Sequence, residues 1–98
     1  MALLRFRRKR IFGEFIREIV LWEVELSADF PEGIKYRFVL IHKGKRVLGY
    51  DNKMGEGHHR HFKDGKYSLE LFSEREIFNL LRKFYSESEK IMEGEEID

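Results

Sequence analysis

Ninety-eight residues with 42% hydrophobic content, 14% aromatics and no cysteine support one domain with one modest core, and exclude disulfides, thiolate metal sites and thiol nucleophiles. The formal net charge is only +1 although 38% of residues are charged, and the charge is unevenly spread. Apolar runs reach about four residues, as at 19–22, far short of the roughly 20 that a bilayer span needs, and no signal-peptide core follows the basic start, so the expected compartment is the cytoplasm.

The chain has no Gln, no Thr and two Asn beside many Glu, Lys and Arg, a bias expected of a thermophilic source. Residues 1–98 read as a single domain. Residues 1–14 read as a basic arm or short helix ending at Gly13, and their cations Arg5, Arg7, Arg8, Lys9 and Arg10 suit a phosphate backbone or an acidic partner. From Glu18 to Ala28, Val20, Trp22, Val24 and Leu26 point one way and Ile19, Leu21, Glu23 and Glu25 the other. That is the pattern of a strand with one well-buried face. Turn chemistry at Asp29–Gly33 precedes a second strand over Ile34–Ile41, with Tyr36, Phe38 and Leu40 on one face. Lys43-Gly44 then joins it to a third strand, Arg46–Tyr50, where Tyr50 reads as a packed residue with a satisfied hydroxyl.

Asp64-Gly65 predicts a hairpin. With those two as loop residues, His59 faces Glu70 and His61 faces Ser68 on a polar face, while Phe62, Tyr67, Leu69 and Leu71 share the apolar one. Ser73 to Glu76 has the capping-box pattern, and Ile77, Leu80, Leu81, Phe84, Ser88, Ile91 and Met92 recur at helical spacing. Residues 93–98 read as a frayed acidic tail, continuing a run that includes Glu87 and Glu89. The expected fold is α+β: a twisted antiparallel sheet of four to five strands with a long C-terminal helix packed on one face.

The stretch YDNKMGEGHHRH, residues 50–61, holds three of the four histidines. Three readings fit its residue types. In metal-free phosphodiester cleavage an imidazole takes a proton from a ribose hydroxyl, a second acid protonates the leaving oxygen, and an arginine stabilises charge on phosphate. His59, His61, Arg60 and Asp51 supply those roles, and an imidazole titrates near neutrality. In a metal site, His59 and His61 point the same way from a strand and bind an ion with Asp51 or Glu70. In a plain turn, Gly55 and Gly57 form the loop, Asp51 and Asn52 bond its backbone, and the histidines are surface polarity. The density of acid–base groups favours chemistry over the turn.

Gly49-Tyr50-Asp51-Asn52, Gly55-x-Gly57 and His59-Arg60-His61, with Lys35-Tyr36-Arg37 and a hairpin glycine at 44, resemble the TumE-type toxins of prokaryotic toxin–antitoxin pairs. The family motif runs roughly YDN-x-x-G-K-G-D-H-R-H, and the likeness in layout extends from about Val20 to Tyr85. It implies an RNA-cleaving inhibitor of translation, acting on RNA free or on the ribosome, and a cognate antitoxin that often carries a helix-turn-helix domain. Asp51, Asn52, His59, Arg60 and His61 are the positions carried over. The sequence departs at Glu56, where the family has Lys, and at His58, where it has Asp.

The expected function is therefore a metal-independent endoribonuclease without a cofactor. His59 and His61 are base and acid in either order, Arg60 is the phosphate clamp and Asp51 orients an imidazole. Asn52 is a loop or substrate-binding residue, and the Arg5–Arg10 cations attract RNA. The alternatives are a non-catalytic RNA- or protein-binding module and a histidine-based metal site. A homo-oligomer stays open.

Overall fold

The computed structural model describes residues 2–70 and 73–94. Six strands, β1 (Leu3–Phe12), β2 (Phe15–Glu23), β3 (Ile34–His42), β4 (Lys45–Asp51), β5 (His58–Phe62) and β6 (Gly65–Leu69), precede one helix, α1 (Glu74–Met92). The strands pair in chain order as a single antiparallel sheet, each with the one before it. Every connection is thus local. The α+β class matches expectation, but the sheet has six strands rather than four to five.

The additional strand is β1, where an arm or short helix was expected. Its cations sit together between apolar ends, so the run shows no period-2 pattern. A bulge between Leu4 and Phe6 breaks the pattern further, setting those two residues on opposite faces, opposite Trp22 and Leu21. Gly13, at φ +60°, turns the chain into β2. That strand spans 15–23 rather than 18–28, because beyond Glu23 the Val24 amide donates to the Gly33 carbonyl at 2.9 Å and closes a loop. The helix-side stripe of β2 is Ile19 and Leu21, although Val20 on the other row is also buried. Residues 19–22 are apolar on both rows, so alternation alone could not choose between them.

The core lies between α1 and the middle strands. Ile19, Leu21, Tyr36, Phe38, Leu40, Leu48 and Tyr50 meet Ile77 and Phe84 of the helix. The Phe38 and Phe84 rings are 5.9 Å apart, and burying each contributes roughly 1.5–3 kcal/mol. The helix begins at the expected N-cap, Ser73, but the serine side chain makes no capping hydrogen bond. It ends at Met92 as expected, and residues 95–98 of the acidic tail lie outside the described residues.

The β5–β6 hairpin departs from the expected register. Its loop residues are Lys63 and Asp64, with Lys63 at φ +55°, and Phe62 pairs with Gly65, Arg60 with Tyr67 and His59 with Ser68. Gly65 lies inside the strand, under the end of the Tyr67 ring: a Cβ there would stand 2.5–2.8 Å from it, and the exposed Tyr67 side chain would have to swing aside. Each pairing slips by two positions on β6, so the assignment of faces survives. Glu70 lies beyond β6 and does not oppose His59. Leu71 lies outside the described residues.

Candidate functional site

Strand alternation divides the histidine-rich segment between the two sides of the sheet. His58, Arg60 and Phe62 share the helix side with Tyr50 and Leu48, while His59 and His61 share the open side with Asp51 and Gly49. On the open side, His61 Nε2 lies 3.2 Å from Asp51 Oδ2, and its Nδ1 lies 3.1 Å from Arg46 Nη2. The guanidinium can only donate, so Nδ1 accepts and the proton sits on Nε2, directed at the carboxylate. Gly49 gives this side chain room: a Cβ there would stand 3.2 Å from Arg46 Cδ, so Arg46 would have to shift by a few tenths of an ångström on its way to His61. Burial, then the charge of Arg46, lowers the His61 pKa below its ordinary 6.5, against an opposing pull from Asp51.

His59 stands beside it, with ring centroids 6.4 Å apart. Its Nδ1 lies 3.1 Å from the Gly57 carbonyl, to which it donates, and its Nε2 lies 3.4 Å from Ser68 Oγ. Only 8% of His59 is exposed. Arg37 pairs with Asp51 across β3 and β4. Its guanidinium holds Glu18 at 2.5 Å, and Glu18 also holds Arg7 at 3.1 Å. Cations on this side therefore run from Lys9 and Arg7 on β1 through Arg37 to Arg46. A concavity of about 330 Å³ lies along that line, lined in part by Arg37, Arg46, Gly49 and Asp51.

Arg60 is not part of this group. Its Nη2 lies 2.5 Å from Glu87 Oε2 of α1, its Nε donates to the Tyr50 hydroxyl at 2.9 Å, and that hydroxyl donates to Glu87 Oε1. Burial draws the Arg60 pKa down, but the bonds to Glu87 and Tyr50 outweigh it and hold the guanidinium charged. Burial and the Glu87 bond push the Tyr50 hydroxyl far up, so it stays protonated. Glu87, counted by the sequence reading with an acidic run, is buried. The legible signal was its place one turn after Phe84 on the apolar stripe.

Asn52 is 1% exposed, and its amide is fully engaged with β3: Oδ1 accepts the Tyr36 N–H at 2.9 Å and Nδ2 donates to the Ile34 carbonyl at 2.7 Å. It extends the β3–β4 ladder past Asp51. His58 is half of a second buried pair, Nδ1 to the Tyr36 hydroxyl at 2.9 Å and Nε2 to Glu32 Oε1 at 3.3 Å. Glu56 pairs with Lys66 and Lys53 at the surface, and the Lys66 bond lowers its pKa.

Alternation also divides the β1 cations. Arg7 and Lys9 lie on the open side opposite Val20 and Glu18, Arg8 and Arg10 on the helix side opposite Ile19 and Arg17, and Arg5 at the bulge binds Glu23 at 2.6 Å. The sequence assigns no roles to Arg46, Arg37 or Glu18, which only the pairing register brings to the open face, whereas Ser68 lies on the polar face as expected, opposite His59 rather than His61. Among the described residues no three His, Asp or Glu side chains gather as a metal-binding set. No helix among them is long and apolar enough to cross a membrane.

Comparison with curated proteins and with solved structures returned no match. A family model described as Toxin TumE matches residues 4–92, nearly the whole chain and all seven elements but the first residue of β1, and the chain belongs to that toxin family.

Proposed function

We propose that the protein is the toxin of a toxin–antitoxin pair and that it cleaves RNA in the cytoplasm, without a metal, on the open face of its sheet. The observation that carries this reading is the Asp51–His61–Arg46 arrangement, a carboxylate and a guanidinium on the two nitrogens of one imidazole, with His59 alongside. Asp51 holds the Nε2–H tautomer, which makes Nδ1 the proton-accepting atom. His61 is thus the general base for the ribose 2′-hydroxyl, and its lowered pKa keeps it in the accepting form near neutrality. Arg46 occupies Nδ1 in the free protein. Turning from that nitrogen to a phosphate oxygen, it frees the base and neutralises the charge that builds on phosphorus in the same movement. It takes the clamp role expected of Arg60.

His59, steadied through Nδ1 by the Gly57 carbonyl, is the acid that protonates the leaving oxygen from Nε2. The ring separation of 6.4 Å leaves space for one phosphodiester to span both imidazoles. Arg37, Arg7 and Lys9 add backbone attraction along the same face. Family membership implies an antitoxin partner.

Two observations favour a binding module without catalysis: both His61 nitrogens are engaged, and His59 is nearly buried. The experiment that separates the two readings is RNA cleavage in chelator, with ribosomes supplied, by the wild type and by His61→Ala. The catalytic reading expects turnover by the wild type and a loss of about 10²- to 10⁴-fold in the variant. Binding without any turnover by the wild type would establish the module instead.

A further inference from the structure

An open six-stranded sheet has two edges, and here they differ. The β6 edge is five residues long, whereas the β1 edge is ten, with every residue exposed. The chemistry of β1 is graded along its length. Its centre carries Arg5, Arg7, Arg8, Lys9 and Arg10, and its ends carry Leu3, Leu4, Ile11 and Phe12, with Ile11 69% exposed. Glu23 and Glu18 serve Arg5 and Arg7, but Arg8, Lys9 and Arg10 have no carboxylate within ion-pair distance among the described residues.

We propose that β1 is a docking edge for an extended acidic segment of a partner protein, which adds to the sheet as a seventh strand. Three features of the edge select that occupant. Its outward N–H and C=O groups form a ladder of alternating donors and acceptors that another strand matches in register and a nucleic acid does not. Its central cations call for carboxylates on both faces of the incoming strand, opposite Arg7 and Lys9 on one side and Arg8 and Arg10 on the other. Its apolar ends need aliphatic cover, which phosphates cannot give. A second copy of this chain fits poorly, because antiparallel pairing of two β1 strands sets cation against cation about the two-fold axis. The same charges that deter self-association therefore admit a strand of opposite sign. Once seated, that strand would also neutralise Arg7 and Lys9, the start of the cation row on the open face. The inference rests on the edge itself and does not depend on RNA cleavage.

The test uses the full-length protein and a capped peptide matched to β1 in length, with a central run of consecutive Glu between Val-rich ends, so that carboxylates stand on both faces of the strand. Expected are saturable binding that weakens with salt, and hydrogen-exchange protection of β1 amides that point away from β2. N-methylation of alternate peptide residues should weaken binding roughly tenfold or more by removing ladder donors, with no risk to the protein's own fold. The variant Arg8→Glu/Arg10→Glu should lose the Val/Glu peptide by a similar factor and gain a Val/Lys peptide. Equal binding of the N-methylated peptide, protection confined to residues outside β1, or dimerisation of the protein through β1 would overturn the proposal. So would a non-cleavable single-stranded RNA that protects the β1 edge more strongly than the peptide does.

Discussion

Arg60 and His61 are adjacent in the chain and serve opposite sides of the sheet: Arg60 Nη2 lies 2.5 Å from Glu87 Oε2 beneath the helix, whereas His61 Nε2 lies 3.2 Å from Asp51 Oδ2 on the open face. The pleat of β5 imposes this division. The His-Arg-His motif is thus two devices interleaved, one fastening the helix to the sheet and one gathering groups that can move protons.

The fastening device predicts a stability effect. Arg60→Ala leaves the Glu87 carboxylate buried with only Tyr50 as partner, and should cost about 3 kcal/mol in urea unfolding. Replacing Arg60, Glu87 and Tyr50 together by Met, Leu and Phe should recover most of that loss, because no unpaired polar group then remains in the layer. A triple variant no more stable than Arg60→Ala would show that the polar triad is not the source of the cost.

Asn52→Ala removes the partners of two main-chain groups at once, the Tyr36 N–H and the Ile34 carbonyl. A loss of roughly 2–4 kcal/mol is expected, with faster exchange of the Tyr36 amide. Asn52→Asp keeps the acceptor for Tyr36 but sets a buried carboxylate oxygen against the Ile34 carbonyl, so it should be no more stable than Ala at neutral pH. If Asn52 acted on substrate instead, cleavage would fall while unfolding stayed unchanged.

The pH profile follows from His61. Its folded pKa lies below the ordinary 6.5 through burial and Arg46, so the accepting form persists below pH 6.5 and the acid limb of cleavage lies under that value. The linked stability has the same sign: it is complete above pH 6.5 and is lost as pH falls through the lower folded value. Burial and Lys66 also depress the His61 pKa, but Arg46→Ala removes the largest depressing charge, and the acid limb should move to higher pH. A limb that stays in place or moves down would contradict the role given to Arg46.

Much of this was legible in the sequence where residues had only one way to satisfy a period. Tyr36, Phe38 and Leu40 alternate cleanly, and the helical stripe from Ile77 to Met92 has an unmistakable spacing, so β3 and α1 fell where expected. β1 was not legible, because its cations suppress the apolar alternation and a bulge near its start changes the phase. That His59 and His61 share a polar face followed from hairpin parity even though the register was displaced. The partners of His61 and Arg60 did not follow, since Arg46, Asp51 and Glu87 reach them across strands and layers that no local pattern encodes.

The central claim is that the open face, and not the helix side, carries the chemistry. It is tested most directly by single-turnover RNA cleavage with Arg46→Ala and Arg60→Met, at a temperature where circular dichroism shows both variants folded. The account predicts a loss of about 10²- to 10³-fold for Arg46→Ala and nearly wild-type cleavage for Arg60→Met. The reverse order, with Arg60→Met inactive and Arg46→Ala unaffected, would contradict it.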